Sequence, residues 1–146
     1  MGACGARQIG FGDAIMSGET NLDRLIASMS AELVDGVYVF ATIADGAPLP
    51  AITTRMMFRE AEGTTLILFK SEAEALGLAY EFPCRMITLN IHSSLEAVGF
   101  MARIATELAK HDMGVNPVSG FFHDHLFVPD GREADAMDAL EAMSRG

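Results

Sequence analysis

The chain has 146 residues, half of them hydrophobic, which is enough apolar surface for one compact domain or two small fused modules to fold without disulfides. Its formal net charge is −10, from 20 acidic against 10 basic side chains, and Lys and Arg never gather into a stripe. That distribution argues against nucleic acid and against an anionic membrane surface, both of which are bound through clustered cations. No segment reaches the ~20 consecutive apolar residues that a membrane-spanning helix needs.

Residues 1–18 read as a disordered or loosely docked extension. Gly2, Gly5, Gly10 and Gly12, with Arg7 and Gln8, interrupt any signal-peptide core. Ala6 stands where a myristoylation motif expects Ser or Thr, and Met16 is a candidate natural start. Gly10-Phe11-Gly12 follows no strand and lacks a third glycine, so it is not a dinucleotide fingerprint. Cys4 and Cys84 are far apart in unlike surroundings, which predicts free thiols in a reducing, cytoplasmic setting, with Cys84 as a packing residue.

Leu22, Leu25, Ile26 and Met29 have helical spacing over 21–31, with Thr20 or Asn21 as cap. Asp35-Gly36 is expected to turn into a strand at Val37–Ile43, and Asp45–Pro48 into a loop. Ile52–Arg59 and Thr65–Lys70, joined at Glu62-Gly63, read as a hairpin; a short helix at Glu72–Leu78 follows, and Phe82-Pro83 closes the first half. The second half opens with a strand at Cys84–Ile91. A helix is expected from Ser93, burying Leu95, Val98, Ala102, Ala105, Leu108 and Ala109 and stopped by Gly114. Strands at Val115–Phe122 and Leu126–Val128 and a last helix capped by Asp130 complete the chain. The fold class is therefore α+β, two half-repeats with helices on one face of an antiparallel sheet, spanning 19–82 and 83–146 and sharing packing.

Two places carry chemistry. Ser93 and Glu96 have capping-box spacing, and the backbone N–H groups at such a helix start suit a carboxylate or phosphate. His123-Asp124-His125, on a strand, puts both imidazoles on one face and the carboxylate on the other. Zinc needs at least a third protein ligand, and only His92 and His111 remain as histidines, so no metal site and no cofactor is expected. A hydrolytic arrangement of these histidines with Ser93 or Ser94 lacks a Gly-x-Ser-x-Gly elbow.

Strand, helix, two strands, helix is most of a ferredoxin-like β-α-β-β-α-β unit. The run Ile87-Thr88-Leu89-Asn90-Ile91-His92-Ser93-Ser94-Leu95-Glu96-Ala97-Val98-Gly99, followed by Gly120-Phe121-Phe122-His123-Asp124-His125-Leu126-Phe127-Val128-Pro129, resembles the small bacterial proteins built from two ACT-type regulatory modules. The stretches Ala31 to Phe40 and Phe58 to Leu66 are similar to the same family, whose module class is also similar to parts of the animal cytosolic arginine sensors.

The resemblance covers Leu22 to Met143. It implies a module that binds an amino acid or another small carboxylate, pairs side by side as a homodimer, and passes a signal to a protein partner. It also implies a pocket at His92, Ser93, Ser94, Leu95, Glu96 and Val98, with Asn116 or Gly120 from a neighbouring module. Two departures stand out: no catalytic domain is attached for the module to regulate, and no sixth strand follows the last helix, so the first half or a partner chain is expected to supply it. The reading is a non-catalytic sensor. The alternatives are a small hydrolase or metal enzyme using His92, His123, Asp124 and His125, and a ligand-free dimerisation module in which the histidines form interface contacts.

Overall fold

The computed structural model describes residues 21–91 and 97–146. Within them the elements run α1 (Leu22–Ser28), β1 (Ala31–Ala44), β2 (Met56–Glu60), β3 (Gly63–Phe69), α2 (Lys70–Ala75), β4 (Ala79–Leu89), α3 (Phe100–Ala109), β5 (Asn116–Ser119), β6 (Asp124–Pro129) and α4 (Glu133–Arg145). The strands form one antiparallel sheet in the order β2-β3-β1-β4-β6-β5.

Two strands are longer than the sequence suggests. The Asp35-Gly36 turn and the Phe82-Pro83 break are both irregularities inside continuous strands, Gly36 at φ +104° and Phe82 at φ +61°. The register between β1 and β4 shifts at these points, between Val34 and Tyr38 and between Tyr38 and Phe40. Turn-forming residues also form bulges, and only the partner strand decides between the two. Gly36 is required at its site, because a Cβ there would lie 2.4 Å from the Phe69 ring.

Each long strand consequently serves two units. The start of β1, Ala31–Val34, pairs with Met86–Leu89 of β4 and acts as the fourth strand of β4-α3-β5-β6-α4. This completes a ferredoxin-like unit, so the first half of the chain supplies the strand absent after α4. The end of β1 starts β1-β2-β3-α2, which the beginning of β4 closes through Tyr38↔Cys84 to Thr42↔Ala79. In that unit residues 45–55 occupy the place of a first helix. Position 82/83, where the sequence pattern divides the chain, lies inside β4.

Among the described residues, three apolar clusters hold the sheet. α1, α3 and α4 cover Ile87, Leu89, Leu126 and Val128. α2 belongs to a second cluster with Val39, Ala41, Ile43, Leu66 and Leu68. Tyr38, Ile67, Cys84, Met86 and Phe127 form the third, which contains no helical residue. It is buried because the sheet curls until Met56 of one edge strand and Val118 of the other pack against the same side chains. Burial pushes the Cys84 thiol up to about 12, with the Asp130 charge adding to the shift, and its Sγ donates to the Tyr38 carbonyl at 3.3 Å. A thiol in that state is a packing residue and not a nucleophile.

The helices show where local patterns mislead. α1 matches its pattern: the Asn21 side chain accepts from Arg24 N at 3.1 Å, and Leu25, Ile26 and Met29 are buried. α3 begins at Phe100 behind Gly99 (φ +89°), and Ala97–Gly99 are not helical. Its buried face is Phe100, Ile104 and Leu108, while Ala102, Ala105 and Ala109 face solvent. Large side chains gain more from burial than alanines, so they set the helix's rotation. Asp112 (φ +55°), not Gly114, takes the left-handed position after it. α4 starts at Glu133 and not at an Asp130 cap; Glu133 Oε1 accepts from Gly131 N at 2.7 Å and Oε2 pairs with Arg85 at 3.0 Å.

Candidate functional site

His92, Ser93, Ser94, Leu95 and Glu96 lie outside the described residues. The register nevertheless fixes where their segment leaves the sheet. Leu89 at the end of β4 pairs with both Ala31 and Asp124, and Asp124 pairs with Ser119. The β4 exit, the α1–β1 junction and the turn at 120–123 therefore share one end of the sheet. Asn90 N donates to the Ser30 carbonyl at 2.6 Å and its Nδ2 to Glu32 Oε2 at 3.3 Å, anchoring the exit. At the return, Val98 is 85% exposed. Phe121 and Phe122 are both more than half exposed and meet edge to face at 4.9 Å.

Gly120 sits at that end, its N–H donating to the His123 carbonyl at 2.9 Å; a Cβ on it would come within 3.7 Å of the His125 ring. Asn116 is at the other end of β5, paired with Phe127. Thus Val98 precedes α3 and does not lie on its first turns, Gly120 joins the histidine turn, and Asn116 lies at the far end of edge strand β5.

His123 and His125 share a face as expected, their rings stacked with centroids 6.4 Å apart. Asp124 is 7% exposed, on the opposite side of the strand. His125 Nδ1 shares a hydrogen bond with Thr88 Oγ1 at 3.0 Å. Its orienting partner is therefore a hydroxyl on β4. No group of three or more His, Cys, Asp or Glu side chains placed to hold a metal exists among the described residues.

Burial, with His123 and Arg55 nearby, holds His125 below its ordinary 6.5, only partly offset by Asp124. The unfolded chain takes up this proton first as pH falls. His125 therefore favours the folded state above about 6.5, and that contribution is lost as pH drops from there through the folded value. The urea midpoint is expected to fall more between about pH 7.5 and about pH 5.5 in the wild type than in His125→Gln. Equal slopes would show that His125 is not perturbed.

A second polar site, invisible in the sequence pattern, lies in the first unit. A cleft of about 560 Å³ opens between residues 52–55 and the corner from β3 into α2, lined by Tyr38, Thr53, Thr54, Arg55, Phe69 and Glu72. Arg55 Nε donates to the Tyr38 hydroxyl at 2.9 Å, and the guanidinium lies 5.6 Å from the Tyr38 ring centroid. Arg55 also borders a cavity of about 130 Å³ with Met86, Val118, His125 and Phe127, so one cation touches both halves. The spacing of Thr53-Thr54-Arg55 carries no local signal; strand pairing brings Arg55 to Tyr38, because Arg55 N donates to the Ile67 carbonyl on β3 and Phe69 of β3 pairs with Tyr38.

An ACT-domain model matches residues 17–85, and a second ACT-domain model matches residues 81–142. A solved Vibrio cholerae protein of unknown function, described as a possible transport protein, is 39% identical, with 84% of this chain and 95% of that one covered at a TM-score of 0.76. The chain belongs to the tandem ACT-domain family. Among this ACT protein's other structural neighbours, aspartokinase alpha and beta subunits align at TM-score 0.58 and 8% identity, covering 80% of this chain and 98% of that one. The aspartate kinase of Clostridium acetobutylicum, described as an allosteric enzyme, aligns at TM-score 0.54 and 10% identity, covering 79% and 34%. These two likenesses establish the fold alone. No curated protein matches by sequence. Among the described residues no helix is long and apolar enough to cross a membrane.

Proposed function

We propose that this tandem ACT-domain protein is a non-catalytic regulatory sensor for an amino acid or a similar small carboxylate. The observation that carries the reading is the junction of its second ACT unit. There β4 gives way to the segment 90–99, open to solvent at Val98 and flanked by the exposed Phe121 and Phe122. A carboxylate held on the backbone N–H groups of Ser94 to Glu96, with Val98 against its apolar part, fits what the family resemblance implies for this loop. Gly120 supports the reading by adding no side chain at its own position in the neighbouring turn. The poor supply of reactive groups supports it too: His125 is tied to Thr88, and the Cys84 thiol is raised to about 12.

We further propose a homodimer formed through the open β2 edge, supported by Met57 and Phe58, which are 49% and 62% exposed there, with the signal passed to a protein partner in the cytoplasm.

A thermal-shift screen of the full chain against the proteinogenic amino acids, with and without chelator, tests the reading. Ligand at a hundred times its dissociation constant is expected to add about 2.7 kcal/mol, raising Tm by roughly 5–10 °C. A flat screen overturns it, and destabilisation by chelator alone points to the metal-enzyme alternative.

A further inference from the structure

Arg55 is held but not neutralised. Its Nε–H is committed to the Tyr38 hydroxyl and its plane rests near the Tyr38 ring, which fixes the fork while its terminal N–H groups form no ion pair among the described residues. Across the same cleft stands Glu72, in the first turn of α2, half-buried, its carboxylate likewise in no ion pair or hydrogen bond among the described residues. The two are more than 4.0 Å apart, since no salt bridge joins them. Thr53 and Thr54 add hydroxyls, and Ile52, Leu68 and Phe69 an apolar wall.

A held cation and an unpaired, half-buried carboxylate lining one cleft of about 560 Å³ select against ions of one sign. A phosphate or dicarboxylate meets Glu72, and a metal ion or polyamine meets Arg55. The ligand that satisfies both is neutral overall and carries both charges. We infer that this cleft binds an α-amino acid zwitterion with an apolar side chain, its carboxylate on Arg55, its ammonium on Glu72 and its side chain on Ile52, Leu68 and Phe69. Tyr38 acts as a positioning residue for Arg55. The inference rests on the amino-acid reading above, but places binding in the first ACT unit and on side chains, independently of the segment at 92–96.

Occupancy has a built-in reporter. Arg55 borders the cavity that His125 also lines, and the groups acting on that imidazole are His123, Arg55, Asp124 and the Thr88 hydroxyl. A carboxylate on Arg55 cancels part of one repelling charge, so His125 titrates at higher pH when the cleft is filled.

Calorimetric titration of the full chain with L-leucine, L-methionine and L-phenylalanine tests the inference. At least one is expected to bind, with affinity falling about tenfold or more in Arg55→Gln and in Glu72→Gln. For the leucine frame, 4-methylpentanoate and 3-methylbutylamine, each lacking one charge, are expected to bind at least about tenfold more weakly than L-leucine. Urea midpoints of the variants check the fold, and an NMR titration of His125 in the unaltered wild type, with and without ligand, gives a readout that needs no variant. Binding that survives both substitutions and leaves His125 unmoved, but disappears in Ser94→Pro, overturns this site while keeping the sensor reading. No binding of the three probes overturns the site, and only a flat response to every amino acid removes the sensor reading as well.

Discussion

Phe127→Ala is expected to lower stability by about 3–5 kcal/mol, the cost of emptying a large aromatic site in a closed core. Phe127 is 2% exposed and meets Tyr38 and Phe40 edge-on, with centroids 6.0 and 5.7 Å away. Those two rings belong to the part of β1 that serves the first unit, whereas Phe127 belongs to the second. The substitution therefore loosens both units together. Urea unfolding followed by far-UV circular dichroism and by tyrosine fluorescence should give coincident transitions, shifted to lower denaturant by the same amount. Two separated transitions would mean that the shared strands β1 and β4 do not couple the halves.

Ile104→Ala is expected to cost about 2–5 kcal/mol. Ile104 is fully buried between Phe100 and Leu108 on the face of α3 that meets Ile87, Leu89 and Leu126. Ala105→Glu, one residue on, is expected to change stability by less than about 0.5 kcal/mol, because that position faces solvent. The pair distinguishes the observed rotation of α3 from the alanine-rich face that its spacing suggests. If Ala105→Glu proved the costlier change, α3 would be rotated. Because α3 sets where Val98 and Gly99 emerge, Ile104→Ala is also expected to weaken any ligand held by the segment before it.

Much of this architecture is legible in the chain. Element types and their order follow from periodicity, and α1 is marked down to its Asn21 cap. The ferredoxin-like pattern of the second half is readable from strand, helix, strand, strand and helix, and its partner strand is the start of β1. Three things were not legible, each for a physical reason. Asp35-Gly36 and Phe82-Pro83 read as boundaries because turns and bulges draw on the same residues, and it takes the β1–β4 pairing to make them bulges. The start of α3 at Phe100 was not legible because Gly99 at φ +89° is a tertiary outcome; the Ser93–Glu96 capping spacing lies outside the described residues.

The Tyr38–Arg55–Glu72 cleft is the third. Its members come from β1, a loop and α2, and the pairing of β3 with β1 and with the loop at Arg55 assembles them. His123 and His125 were the opposite case, a conspicuous cluster whose shared face follows from strand alternation and whose partner, Thr88, comes from pairing with β4.

The measurement that bears most directly on the account is saturation-transfer NMR on the full chain with a mixture of the proteinogenic amino acids, followed over a day in the same tube. The account predicts transfer to one or a few amino acids, whose spectra stay chemically unchanged because the protein senses its ligand and does not turn it over. Transfer to none of them, or steady conversion of the one that binds, would contradict it.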